Sequence, residues 1–193
     1  MSMLAMLEKD IDKNKVRQSF ALAAKSYDGL AALQREVGLN LINKLDLKSW
    51  KKNQQIADIG CGTGYISQQL LLKGSSWEIT AVDIAFTMLQ ISREKLAGFK
   101  GVNYLCADAE ASPLSNNSFD HIVSNLAVQW CQNLDSVFSG FWQALKNEGT
   151  LSFSTFGPDT LKELKSAWAK VDDYQHVNTF YSAAELTGFL QHA

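Results

Sequence analysis

The chain has 193 residues, 46% of them apolar, with 18 lysines and arginines against 20 acidic residues and a formal net charge of −2. A single domain of this length buries roughly 70% of its unfolded surface, so neither disulfides nor a metal are needed to hold it. Interspersed charges of near-equal number lack the footprint of a nucleic-acid binder, and the apolar opening from Met1 is interrupted by Glu8, Lys9 and Asp10 long before the ~20 residues that span a membrane; a soluble protein without nucleic-acid or membrane partners is expected.

From the N-terminus, Val16, Phe20, Ala23, Tyr27, Leu30, Leu33, Val37, Leu41 and Leu45 recur at steps of three or four, which predicts one or two amphipathic helices before the first strand. The run Ile56 to Ile59 predicts that strand. It carries Asp58 and leads into Gly60, Cys61, Gly62, Thr63 and Gly64, with glycines at alternate positions. Glycines admit positive φ and let the backbone come within van der Waals reach of a ligand, so the strand runs into a nucleoside site. A dinucleotide fold spaces its glycines G-x-G-x-x-G. Here the third glycine comes one position early and Tyr65 holds its place, which argues against an NAD-dependent oxidoreductase.

A second apolar run, Trp77 to Asp83, ends in an acid about 20 residues after the glycines, where a ribose-binding carboxylate belongs in a βαβ unit. Asp83 is expected to accept from both ribose hydroxyls, each charge-assisted bond being worth roughly 1.5–3 kcal/mol. A third strand, Val102 to Ala107, ends at Asp108 and Ala109, and a fourth, His121 to Asn125, follows Ser118-Phe119-Asp120. His121 opens its strand, away from the carboxyl ends where ligands gather, and reads as a solvent-edge histidine rather than a general base. Crossover helices are predicted over 65–72, 86–96, 134–145 and 159–171. Gly149 is read as a helix-terminating glycine before a fifth strand over 150–155. Ser182 and Glu185 form an S-x-x-E capping box opening a final helix through Leu186 and Leu190. Alternating strands and helices predict a doubly wound, mostly parallel, Rossmann-like α/β sheet. Within its one domain, residues 1–50 supply N-terminal helices, 54–155 a cofactor-binding core and 156–193 substrate-side helices. Cys61, Cys106 and Cys131 lack C-x-x-C spacing and follow no segment resembling a secretory signal, so a reducing cytoplasm is expected and zinc is not.

The D-x-G-x-G-x-G of Asp58 to Gly64 resembles motif I of class I S-adenosylmethionine methyltransferases, and S-F-D before the fourth strand resembles their motif II. The resemblance implies that Asp58 orients the loop of Gly60, Cys61, Gly62 and Gly64 and reaches the methionine ammonium, directly or through water. It places Asp108 and Ala109 against the adenine, the acid accepting from the exocyclic amine, and Asn125 below the sulfonium. Three further segments resemble a narrower family, the malonyl-acyl-carrier-protein O-methyltransferases of biotin biosynthesis. These are the run Val16 to Gln34, the block Ser124-Asn125-Leu126-Ala127-Val128-Gln129-Trp130-Cys131 and the tail His176 to Phe180.

That family's reaction implies a malonyl thioester on an acyl carrier protein as substrate, its free carboxylate attacking the methyl of S-adenosylmethionine. A carboxylate with pKa near ~4 is ionised at neutral pH, so no general base is called for. Tyr27, Gln129, Trp130 and Phe156 are candidates for pocket walls, and His176 and Asn178 for a cover over the substrate channel. Lys13, Lys15, Arg17 and Lys25 form a candidate landing face for an acidic carrier. A methyltransferase acting on a quinone or sterol precursor shares the cofactor features, as does a module that binds S-adenosylmethionine without catalysis. The usual sheet of the class ends with two further strands, one antiparallel, for which this sequence holds no residues. A shortened form with an exposed strand edge and an incomplete substrate pocket, which keeps cofactor binding while methyl transfer is weak or absent, is therefore expected.

Overall fold

Five apolar runs become the strands β1 (Gln55–Ile59), β2 (Glu78–Asp83), β3 (Val102–Cys106), β4 (Phe119–Asn125) and β5 (Leu145–Ser154). In the computed structural model, which describes residues 11–193 apart from Ser75, Ser112, Asp173 and Gln175, they form one sheet of order β3-β2-β1-β4-β5. All four pairings are parallel. The apolar opening through Asp10 lies outside the described residues. Helices α1 (Lys13–Leu30) and α2 (Ala32–Lys44) precede the sheet, α3 (Tyr65–Lys73), α4 (Phe86–Lys95) and α5 (Leu134–Ala144) connect its strands, and α6 (Lys162–Trp168) and α7 (Ala183–His192) follow β5.

The period-2 alternation of strands distributes side chains to two cores, one on each face. On one face Ala57, Ile59, Val82 and Ile122 pack with Val137, Phe138 and Phe141 of α5. Ile56, Ile79 and Val123, the alternate set, pack on the other with Ile42 of α2 and Ile66 and Leu70 of α3. Burying Phe138 and Phe141 fully contributes roughly 1.5–3 kcal/mol for each side chain. Ser182 and Glu185 make both halves of the capping box expected at the start of α7.

Three expectations need correction. Gly149 does not end a helix. α5 stops at Ala144, and the chain enters β5 at once, pairing Leu145 with Phe119 before resuming at Thr150 opposite His121. In the intervening bulge the left-handed residue is Glu148, at φ 64°. A β-carbon on Gly149 would lie 2.8 Å from the carbonyl oxygen of Lys146 and 3.2 Å from that of Asp120, so Gly149 is there for want of space. His121 is not at a solvent edge. It is only 8% exposed, stacks on Trp50 with centroids 3.6 Å apart, and shares a 2.7 Å hydrogen bond between Nδ1 and the Thr150 hydroxyl. The helix expected over 159–171 is confined to α6, because Leu161 takes a left-handed φ of 60° just before it.

Candidate active site

The strand order reverses between β1 and β4, and the carboxyl ends flanking that reversal are where an open α/β sheet offers a crevice. A cavity lies there, with an empty volume of about 770 Å³ when its open mouth is included. Its floor comes from the strand ends: Ile59, Gly60 and Gly62 after β1, Asp83 and Ile84 after β2, Ala107, Asp108 and Ala109 after β3, and Asn125 to Val128 after β4. Its roof is α1, which contributes Lys13, Val16, Phe20 and Tyr27.

The glycine loop is shaped by two different demands. Gly60 (φ 67°) passes so close to the segment after β4 that a β-carbon on it would lie 2.2 Å from that of Ala127. Gly62 (φ 54°) has nothing within 4 Å of such a carbon and faces the cavity. The loop is fixed by Asp83, whose Oδ2 accepts from the Gly62 N–H at 2.8 Å while Oδ1 accepts from the Ala85 N–H at 2.8 Å. Burial pushes the Asp83 carboxyl up, and the two N–H groups pull against it. Each oxygen of Asp83 keeps a second lone pair for a ligand hydroxyl.

Asp58, Cys61 and Gly64 do not line the cavity. Asp58, 1% exposed, accepts through Oδ2 from the N–H and hydroxyl of Ser67 at 3.0 and 2.6 Å, tying β1 to the first turn of α3. Its Oδ1 has no partner among the described residues, and burial pushes this carboxyl up to about 6. The Cys61 side chain packs with Ala81 and Leu89. Gly64 backs onto Ser92, whose hydroxyl would be 2.4 Å from an added β-carbon.

Of the expected pocket walls, Tyr27 and Trp130 line the cavity. Phe20 packs edge-on against both, with centroids 6.3 and 5.7 Å away. Gln129, Phe156, His176 and Asn178 do not line it. Gln129 is 4% exposed and donates to the Leu126 carbonyl at 2.6 Å. Phe156 packs on Phe180. His176 stacks on Trp168 and meets Asp172 Oδ1 at 2.7 Å in a separate shallow hollow beside α6. Asn125 lines the cavity, but its amide is committed on both sides: it donates to the Gln34 carbonyl at 3.0 Å and accepts from the Ser154 hydroxyl at 2.7 Å.

The basic face expected on α1 is reduced by Lys13, which turns inward. Its ammonium meets Asp108 Oδ1 at 2.8 Å and also pairs with Glu110, and these carboxylates raise its pKa against the lowering effect of burial. Nearby, the Gln132 amide donates to the Ile11 carbonyl at 2.8 Å. At the far end of α1, Asp28 accepts from the Thr63 hydroxyl of the glycine loop and pairs with Lys95 Nζ at 2.6 Å. Lys13, Val16 and Phe20 were not singled out from sequence as cavity residues. Their helical spacing marks a buried face without saying what it covers, and Lys13 lies 95 residues from Asp108.

The donor set suits a nucleoside. Carboxylates at Asp83 and Asp108 match hydroxyl and amine donors, Gly62 leaves open space, and Val16 and Phe20 of the roof, with Met88 of α4, match a flat aromatic base. Among the described residues no cluster of metal-binding side chains occurs and no helix is long and apolar enough to cross a membrane.

A family model for the methyltransferase domain matches residues 57–153. The chain is 42% identical over 194 residues to the malonyl-[acyl-carrier protein] O-methyltransferase of Gallionella capsiferriformans, covering 97% of this chain and 67% of that protein. It is 44% identical over 169 residues to the protein of the same name from Methylococcus capsulatus, covering 88% and 61%. Among solved structures, Haemonchus contortus phosphoethanolamine N-methyltransferase 2, in complex with phosphomonomethylethanolamine and S-adenosylhomocysteine, shares the fold. Its TM-score is 0.65 at 24% identity, over 80% of this chain and 35% of that one. The chain thus spans 67% and 61% of the length of these two curated relatives.

Proposed function

The chain belongs to the malonyl-acyl-carrier-protein O-methyltransferase family, and from that premise we propose that it methylates the free carboxyl of a malonyl thioester held on an acyl carrier protein, in the cytoplasm and as a step of biotin biosynthesis. The observation that carries the reading is the convergence of Gly62, Asp83, Asp108 and Asn125 on one cavity at the reversal of strand order. When bound, S-adenosylmethionine supplies a sulfonium methyl group that leaves on the carboxylate oxygen as a methyl ester, the sulfur keeping the bonding electron pair.

The residues of the chain position and enclose. Asp83 accepts from the ribose hydroxyls while its hold on the Gly62 N–H keeps the loop in place. Asp108 accepts from the adenine amine and Ala109 lies beside the ring. Asn125 and the segment after it form the wall toward the acceptor, and Phe20, Tyr27 and Trp130 exclude water. A malonyl carboxyl is ionised at neutral pH, so no residue has to remove a proton, in keeping with the position of His121 at the amino end of β4. A dry cavity disfavours separated charges more than a transition state in which they are neutralising each other. The absence of C-x-x-C spacing among Cys61, Cys106 and Cys131 supports a reducing compartment.

The test incubates the protein with S-adenosylmethionine and malonyl-carrier protein, with malonyl-coenzyme A and a quinone precursor in parallel, and follows products by mass spectrometry. A gain of one methyl on malonyl-carrier protein is expected. Methylation of the quinone precursor alone overturns the substrate, and binding of S-adenosylhomocysteine without any transfer overturns the enzyme reading.

A further inference from the structure

Leu126, directly after β4, holds φ at 50°, a left-handed conformation that costs a non-glycine residue of this kind roughly 1–2 kcal/mol and persists only where its surroundings enforce it. Leu126 lines the cavity and starts the turn that presents Ala127, Val128 and Trp130 to it. Its N–H is shared between the carbonyl and the hydroxyl of Ser154, at 3.0 and 3.1 Å. Its carbonyl accepts from the Gln129 amide at 2.6 Å, and Gln129 Oε1 in turn accepts from the Thr155 hydroxyl at 3.3 Å. Both backbone polar groups of the strained residue are therefore held, the N–H by Ser154 at the end of β5 and the carbonyl by a side chain that Thr155, the next residue, orients. Gln129 itself is 4% exposed and does not reach the cavity.

We infer that Gln129 is a positioning residue that clamps Leu126 in its left-handed conformation, and so sets the wall of the cavity against which the acceptor meets the methyl group. The inference rests on the proposed methyl transfer and adds to it the device that aligns the site. Transfer without acid-base chemistry depends on alignment, and a displacement of about 1 Å at a reacting centre costs roughly 100-fold. An amide suits the task because its N–H₂ can grip the Leu126 carbonyl while its oxygen is held by Thr155.

The test is a double-mutant cycle between positions 129 and 126. Gln129→Leu puts an apolar side chain of similar size in place of the amide and removes both hydrogen bonds. It is expected to lower kcat roughly 10- to 100-fold while the Kd for S-adenosylhomocysteine changes less than about threefold, since Gly62 and Asp83 are untouched. In a Leu126→Gly background, where glycine takes positive φ without help, the same Gln129→Leu change is expected to cost less than about threefold. A side chain that merely filled space would do equal damage in both backgrounds, and that result, or wild-type kcat in Gln129→Leu, overturns the inference. Thr155→Val, which removes only the hydroxyl that orients the amide, serves if Gln129→Leu does not fold, and is expected to show a smaller loss with the same dependence on residue 126. Hydrogen exchange at the Leu126 amide, measured in the complex with S-adenosylhomocysteine, decides the clamp apart from turnover. Faster exchange in Gln129→Leu is expected, and unchanged exchange refutes the clamp even if the wild type transfers no methyl group at all, in which case the functional reading falls separately.

Discussion

Replacing His121 by Gln should change how the stability of the fold responds to acid, through the loss of one of two opposing titrations. Burial holds the His121 imidazole at about 4, with Asp120 pulling it up and Lys146 pushing it down, against an unfolded value of ~6.5. Its Nε2 has no partner among the described residues to welcome a proton. As the pH falls from ~6.5 to ~4 the unfolded chain takes up a proton here that the folded chain refuses, so stability falls, by about 1.4 kcal/mol per unit and about 3 kcal/mol in all. Asp58 acts with the opposite sign. Burial raises it to about 6 from an unfolded ~3.9, so the folded chain binds the proton first and stability rises as the pH falls through the same window. The two slopes nearly cancel between about pH 6 and pH 4 in the wild type. His121→Gln leaves Asp58 unopposed and should gain about 2 kcal/mol relative to the wild type on going from about pH 6 to pH 4.5, whereas Asp58→Asn should lose about as much. Urea denaturation of the three proteins across that range reads the slopes directly, and the constant cost of losing the Trp50 stack drops out of the comparison. Parallel pH profiles for His121→Gln and the wild type would refute the reasoning.

Asp83→Ala should weaken binding of S-adenosylhomocysteine roughly 10- to 100-fold, since one or two charge-assisted hydrogen bonds and the anchor of Gly62 are lost; unchanged affinity by calorimetric titration would remove Asp83 from the cofactor site. Gly60→Ala and Gly62→Ala should separate stability from binding. The first drives a methyl group into Ala127 and is expected to lower stability by a few kcal/mol in thermal unfolding. The second meets only the left-handed backbone penalty of about 1 kcal/mol, yet puts its methyl group into the cavity and should lose most cofactor affinity. Equal melting points for the two variants would contradict that division.

The strands and their connecting helices were legible because apolar periodicity is a local property, and the acids at Asp83 and Asp108 were legible because a strand end fixes where its last residues lie. Side-chain direction was harder to read. Asp58 sits on the right strand but turns under the glycine loop to Ser67, away from the cavity, and nothing in D-x-G-x-G-x-G records that rotation. Gln129 was read as a wall together with Trp130, both following the fourth strand, yet a 3₁₀ turn over Val128–Trp130 sends the two side chains in different directions. Lys13 looked like one of several surface cations, since an ion pair with a carboxylate 95 residues away leaves no trace in local spacing. Gly149 was misread because a glycine after a helical run signals a cap in the absence of knowledge of the opposite strand, and here that strand decides its role.

Helix α1 roofs a cavity whose floor is built from residues far downstream, and this has a consequence for biosynthesis. The contact between Ile11 and Gln132 spans 121 positions, which a ribosome moving at about 5–20 residues per second covers in roughly 6–24 s. Throughout that interval the face bearing Val16, Phe20 and Tyr27 has left the ribosome without the surface it is to cover. A nascent chain of this protein therefore carries an uncovered amphipathic helix until β4 and the turn after it have emerged, and α1, made before every strand of the sheet, is among the last elements to be seated.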